Sequence, residues 1–467
     1  MRRFSLALLC APLAVIVLAL ALYLGPRTGM GGDVTFNIVF GAVWTLAFVW
    51  GLGLQALPLR DSLLWGSAYG FLGWLIGPVT VGGILSGHGV FWSLPEFREL
   101  FPDLIAYVLY GMALGLIYPS VHRLYLLRQP LALATGTRSA LIRGAFAGLL
   151  TGLVLINRLP AIGLLPVPGM NPNDVPAAIH LILSVLVGMV LGIVSLQAQE
   201  RSGVGLIRGM AYGLLWWVLF VLTVQPVLSN QPPAWTFSGA QATIDRLLGL
   251  IVYGGGLALF YHLITQLQQA LFADNVGLDG REEGIGIRNL QAIGWGVAGS
   301  ILGGLVFTTV MVQTGVLPTI AGIVRGADPT IGLIVHFVIS IIIGAMYGLL
   351  FAGQVKSFGS AIGWGTAYGL FWWVLGPITF LPLLLGRAGT LSLDAALAAY
   401  PGSFLGHIAY GVVTAMYFYF LERRQQQNRP LPDSSKPLET PTANTVQSPL
   451  WLLMALFIVI VPLVLNP

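Results

Sequence analysis

The sequence predicts an all-α polytopic membrane protein, with about thirteen membrane-crossing helices arranged as three parallel four-helix repeats plus one C-terminal helix. Three observations predict it. First, of the 467 residues 56% are hydrophobic and 8% charged, where soluble domains carry roughly 25% charged residues. Second, apolar runs long enough to cross a bilayer as helices cover 5–25, 36–56, 63–85, 103–119, 142–165, 177–197, 207–228, 246–270, 290–316, 331–353, 360–386, 403–421 and 449–465. Third, one stretch occurs three times, beginning at Ser67, Met210 and Thr366 and reading SAYGFLGW, MAYGLLWW and TAYGLFWW. Tyr69, Tyr212 and Tyr368 stand 143 and 156 residues apart, and the same offsets relate Trp74, Trp217 and Trp373, and Thr80, Thr223 and Thr379. A repeat that keeps register without gaps implies one structural unit used three times.

The N-terminal run follows Arg2 and Arg3. It is longer than the apolar core of a secretory signal and lacks a small-residue cleavage site in good context, so it reads as a retained first helix. Cys10 is the only cysteine, which excludes a disulfide framework. Placing the N-terminus inside puts 16 of the 22 Lys and Arg residues in cytoplasmic segments. That bias follows the positive-inside rule and places the C-terminus outside. It also accounts for the net charge of +5 without nucleic acid. With four helices per repeat, all three copies run the same way, unlike the inverted repeats common in secondary transporters.

The repeats are expected at 1–130, 131–275 and 276–424, a flexible cytoplasmic linker at 425–447, and the extra helix at 448–467, where it offers a docking element for a membrane-complex partner. The second helix of each repeat carries a four-residue pattern. His180, Ser184 and Gly188 match His336, Ser340 and Gly344, while the first copy has Asn37 and Gly41. This spacing lines one helix face. The fourth helix repeats Tyr110-Gly111, Tyr253-Gly254 and Tyr410-Gly411. Short segments before it, near 94–103, 237–246 and 391–400, read as interfacial elements on the outer surface.

The chemistry these residues allow is limited. No acidic residue or lysine lies mid-span, which counts against an ion-coupled transporter. No phosphate loop, dinucleotide fingerprint or zinc-protease helix is present. His180, His336 and His407, with Ser184, Ser340 and Asn37, are the candidate polar or ligand positions. Imidazole is the side chain here able to bind haem iron, but a hydrogen bond to a neighbouring helix is the simpler use, and no cofactor is expected. Tyr69, Tyr212, Tyr368, Trp74, Trp217 and Trp373 are candidate cavity-lining positions, weighed against an aromatic packing core. Gly77-Pro78 and Gly376-Pro377 predict kinks in the first and third copies; the second has Phe220-Val221 there.

The third copy, with His336 and Ser340 on its second helix and Gly406-His407 opening its fourth, resembles the YagU-like bacterial inner-membrane proteins. That resemblance implies a four-helix unit in a bacterial plasma membrane and carries no activity with it. Three readings of function remain open: a passive permeation or facilitator protein for a small solute, a non-catalytic structural or assembly subunit of a larger membrane complex, and a haem- or metal-binding electron-transfer subunit.

Overall fold

A computed structural model describes residues 2–25, 34–52, 57–127, 137–164, 174–194, 202–272, 285–387, 390–427 and 447–466. All regular structure among them is helical. The long helices are α1 (Arg2–Leu24), α2 (Val34–Leu52), α3 (Leu59–Trp74), α4 (Phe101–Val121), α5 (Thr137–Val154), α6 (Ala177–Val194), α7 (Ser202–Trp216), α8 (Ile244–Phe272), α9 (Ile285–Thr314), α10 (Pro329–Phe351), α11 (Phe358–Leu375), α12 (Gly402–Gln427) and α13 (Gln447–Leu465). Among the described residues twelve helices are long and apolar enough to cross a membrane. The chain is therefore an all-α, multi-pass membrane protein.

The run expected at 142–165 is the exception. Its helix, α5, begins earlier, carries Arg138 and Arg143 in its first turns, and stops at Val154. A turn and the short helix Leu159–Ile162 follow, closed by Gly163 in the left-handed conformation at φ +59°. The two arginines and the early stop set α5 apart from the twelve in length and apolarity, yet it runs along the apolar α6 with Gly144 at Gly188 and Gly148 at Ser184. Most of the linker expected at 425–447 lies outside the described residues.

Contacts gather the chain into two compact bodies. One comprises Met1–Ala198, Gly209–Leu257 and Ser448–Pro467; the other comprises Gln199–Arg208 and Ala258–Gln447. In the first body, α3 packs on α4 with their backbones nearly touching. A Cβ at Gly70 would lie 2.1 Å from the Tyr107 carbonyl oxygen, and one at Gly111 would lie 2.2 Å from that of Gly66. The same approach joins α7 to α8, through Gly213 on Leu250 and Gly254 on Gly209. In the second body it joins α11 to α12, through Gly369 on His407 and Gly411 on Gly365. Helices α5 and α6 approach through Gly144 and Gly188, and α9 and α10 through Gly296 and Gly344. Small residues are what permit such contacts between apolar helices, where van der Waals packing rather than solvent exclusion drives association.

The third helix of each four-helix stretch ends in a wider π-helical turn, at Leu75–Gly82, Trp217–Val224 and Gly376–Phe380. Kinks were expected only where proline stands, yet the segment without one unwinds as well. What the three share is a threonine. Thr80 donates to Leu75 O at 2.7 Å, Thr223 to Val218 O at 2.8 Å and Thr379 to Val374 O at 2.8 Å, each reaching five residues back. The hydroxyl satisfies a carbonyl beside the wider turn, an arrangement open to a helix without proline.

The C-terminal helix corrects an expectation. Offered by the sequence as a docking element, α13 is enclosed by the chain's own residues. Leu450, Leu453, Leu456, Phe457, Ile460, Val461 and Val464 are fully buried, and no residue from Pro449 to Asn466 is exposed. Its last carbonyls have partners within the first body. Arg98 donates to Leu463 O at 3.2 Å and also to Asn466 O, and Gln241 donates to Val464 O at 3.2 Å. Arg98 and Gln241 stand 143 residues apart, at matching places in the short helices Leu94–Glu99 and Phe237–Ala242. A guanidinium and an amide thus satisfy carbonyls that a helix end leaves without internal partners.

Candidate functional site

Three levels of each four-helix stretch hold the residues singled out from sequence. The uppermost is the tryptophan level. Trp74 Nε1 donates to Leu100 O at 3.0 Å, Trp217 Nε1 to Thr243 O at 3.3 Å and Trp373 Nε1 to Ala399 O at 3.1 Å, each bond closing a loop of 26 residues. All three indoles are fully buried. They tie the end of the third helix to the start of the fourth. Each is packed within its own body, where burial of the large ring and pairing of its single N–H are both met.

The tyrosines of the repeated motif diverge. Tyr368 is fully buried, donates to Ile343 O at 2.7 Å, and packs against Tyr347 and Phe351. It too is packed within its own body. Tyr69 is partly exposed, stacked on Trp44 at 4.5 Å with Phe48 beside it at 5.0 Å. Tyr212 is partly exposed and lies 3.5 Å from Arg60 O. Of the six, Tyr69 and Tyr212 alone keep any access to the surface.

A different tyrosine set pins the fourth helix to the second. Tyr110 donates to Gly41 O at 2.9 Å, Tyr253 to Ser184 O at 3.2 Å and Tyr410 to Ser340 O at 3.1 Å. Tyr110 also shares a hydrogen bond with Thr45 at 2.5 Å, and Tyr253 with Ser184 Oγ at 2.9 Å. Sequence reading noted these Tyr-Gly pairs without giving the hydroxyls a role. The signal was present, since each tyrosine precedes a glycine that brings the third helix close.

One level away lies the pair that varies. Position 37 on α2 faces position 107 on α4: Tyr107 donates to Asn37 Oδ1 at 2.8 Å, with both buried. The corresponding residues are His180 and Leu250 in the second stretch, and His336 and His407 in the third. The close contacts of Gly70, Gly213 and Gly369 with Tyr107, Leu250 and His407 fix this correspondence. The third stretch holds one more residue before its fourth helix than the others, so His407 rather than Gly406 takes the place of Tyr107. His336 Nε2 is 3.1 Å from Gly304 O, and His407 Nδ1 is 2.7 Å from Ser403 O. A carbonyl only accepts, so each ring donates from that nitrogen. Both rings pack edge-on against Phe307, at 5.7 and 4.7 Å between centroids.

His180 and Ser184 are buried in the first body, and Ser184 Oγ donates to Gly148 O at 2.6 Å. Ser340 is buried beside Gly304. The structure therefore brings His336, Ser340 and His407 into one body, and His180, Ser184 and Asn37 into the other. Among the described residues no group of three or more His, Cys, Asp or Glu side chains is placed to hold a metal ion. Compared with family models, with curated proteins and with solved structures, the chain matches none.

Proposed function

We propose that this chain is a non-enzymatic membrane framework protein, a structural or assembly subunit made of three parallel copies of a four-helix unit. One observation carries the reading. The polar groups a solute path would present are engaged inside their own unit: Asn37 by Tyr107, Ser184 by Gly148 and Tyr253, His336 by Gly304, His407 by Ser403. In an apolar medium such bonds hold helices together. The recurrence of the tryptophan, tyrosine, threonine and glycine contacts supports the triplication. Arg98 and Gln241, both bonded near the end of α13, support the parallel sense of the first two copies. The resemblance to YagU-like proteins supports the division into four-helix units and a bacterial plasma membrane, and the arginine bias supports a cytoplasmic N-terminus.

Because α13 is enclosed, the partner in such a complex would meet the outer apolar faces instead. On α6, Ile182, Leu186 and Val190 are exposed; on α10, Ile334, Val338 and Ile341 are. The experiment is purification from native membranes in mild detergent. The framework reading expects a stoichiometric membrane partner; a lone monodisperse chain contradicts it.

A second reading, the facilitator for a small solute, draws on the π-helical turns. Broken helices at matching depth are typical where backbone lines a cavity. Its path would follow Thr80, Thr223 and Thr379 rather than the tryptophans. Solute-dependent swelling of liposomes holding the purified chain would favour it over the framework. The haem reading has no comparable observation behind it.

A further inference from the structure

A cavity of about 440 Å³ opens at one end of the second body, lined by Gly353, Val355, Lys356, Tyr419, Glu422 and Arg423. Its volume falls in the range of small-molecule sites, about 300–1,000 Å³. It lies between the turn that joins α10 to α11 and the last turns of α12, where the membrane-crossing part of α12 ends at Gln425. A lipid headgroup sits at this level of a bilayer.

The charges around it are mixed, and two of the three are held by hydrogen bonds. Glu422 is buried, and its Oε1 accepts the Gly353 N–H at 2.8 Å. Arg423 is held by its neighbour one helical turn back, donating to the Tyr419 hydroxyl at 3.1 Å with the guanidinium 5.9 Å from the ring centroid. Lys356 is exposed at the rim. A simple cation entering the cavity meets two like charges, and a simple anion meets the carboxylate. A molecule carrying both charges meets neither difficulty.

We propose that this cavity binds an aminoalkyl phosphate. The phosphate lies against Lys356 and Arg423, since guanidinium and ammonium groups are the usual phosphate partners. The ammonium lies toward Glu422. The same chemistry comes from two sources, the headgroup of phosphatidylethanolamine and free phosphoethanolamine. This site is independent of the framework reading and stands or falls without it.

The test uses the full-length chain in dodecyl maltoside micelles, which carry no charge, titrated with O-phosphoethanolamine, inorganic phosphate and ethanolamine. In a parallel arm, nanodiscs containing phosphatidylethanolamine are examined by native mass spectrometry for retained lipid. Expected is binding of O-phosphoethanolamine, retention of the lipid, or both, lost by about tenfold or more in Lys356→Met and Arg423→Gln. Glu422→Gln keeps an acceptor for Gly353 and is expected to abolish the preference over inorganic phosphate. Lys356 is exposed, so its substitution leaves folding intact. Binding in only one arm identifies the source. The proposal is overturned if neither ligand binds, if Lys356→Met changes nothing, or if inorganic phosphate binds as well as O-phosphoethanolamine.

Discussion

The α2–α4 pair and the α10–α12 pair share one set of contacts and differ at one level. In both, a tyrosine hydroxyl from the fourth helix reaches a second-helix carbonyl, Tyr110 to Gly41 and Tyr410 to Ser340. In both, a glycine of the third helix lets its neighbour approach within contact of backbone, Gly70 at Tyr107 and Gly369 at His407. One level away, Asn37 and Tyr107 bond directly to each other. His336 and His407 instead each take a backbone carbonyl and both pack against the Phe307 ring. The scaffold residues are thus tied by close backbone contact, while the neighbouring level holds a different pair in each stretch, Asn37 with Tyr107, His180 with Leu250 and His336 with His407. A buried polar group costs free energy only when its partner is missing.

The largest expected effect breaks the shared part of that comparison. Gly70→Val and Gly369→Val each drive a side chain into a carbonyl, with Cβ positions 2.1 and 2.3 Å from oxygen. Both variants are expected to lose the monodisperse folded peak in detergent gel filtration. Loss in one and tolerance in the other would separate the two regions.

The next effect separates the variable level. Tyr107→Phe removes one donor from the buried Asn37 amide and is expected to cost about 1–3 kcal/mol, read as a lower thermal midpoint. His407→Leu installs the residue the second stretch already carries. The freed Ser403 carbonyl can still accept along its own helix, so the expected change is within about 0.5–1 kcal/mol. An equal loss in both variants would make the histidines as structural as the tyrosine.

A smaller effect concerns α13. Arg98→Met removes a charged donor from two of its last carbonyls and Gln241→Leu a neutral donor from one. Arg98→Met is expected to be the more damaging, by about 1–2 kcal/mol, seen as faster proteolysis of the C-terminus. The reverse order would sever the cap from helix retention.

The smallest is a pH effect at the start of α10. Asp328 caps that helix outside the membrane-crossing segment, accepting the Thr330 N–H at 2.6 Å. This bond holds its carboxyl below the usual carboxylate range. A depressed carboxyl stabilises the fold above its unfolded value, about 3.9, and the contribution disappears as pH falls through the folded value. Asp328→Asn is expected to flatten that acid limb of the thermal midpoint; an unchanged limb would show that the cap contributes nothing there.

The class of the fold was legible because composition and run length alone separate membrane helices from soluble ones. The recurring tyrosines, tryptophans and threonines were legible as a pattern. Their partners were not: Leu100 and Ala399 contribute only backbone oxygen, and Thr243 adds a hydroxyl that the other two lack, which leaves no shared residue type to recognise. The π-helical turn at Trp217–Val224 holds no proline to announce it, while the threonine hydroxyl that accompanies it stands among the aligned positions. The enclosure of α13 was hidden because an apolar helix facing protein reads like one facing lipid.

The most direct measurement concerns the direction of the three copies. Pro95, Ser238 and Asp394 are exposed and stand at matching places in the short helices before α4, α8 and α12. Single cysteines placed there by Pro95→Cys, Ser238→Cys and Asp394→Cys, with Cys10→Ala as background, can be reacted with a membrane-impermeant thiol reagent on intact cells. Three parallel copies predict that all three react from the outer side. Reaction of any one of them only after the membrane is opened would contradict the account.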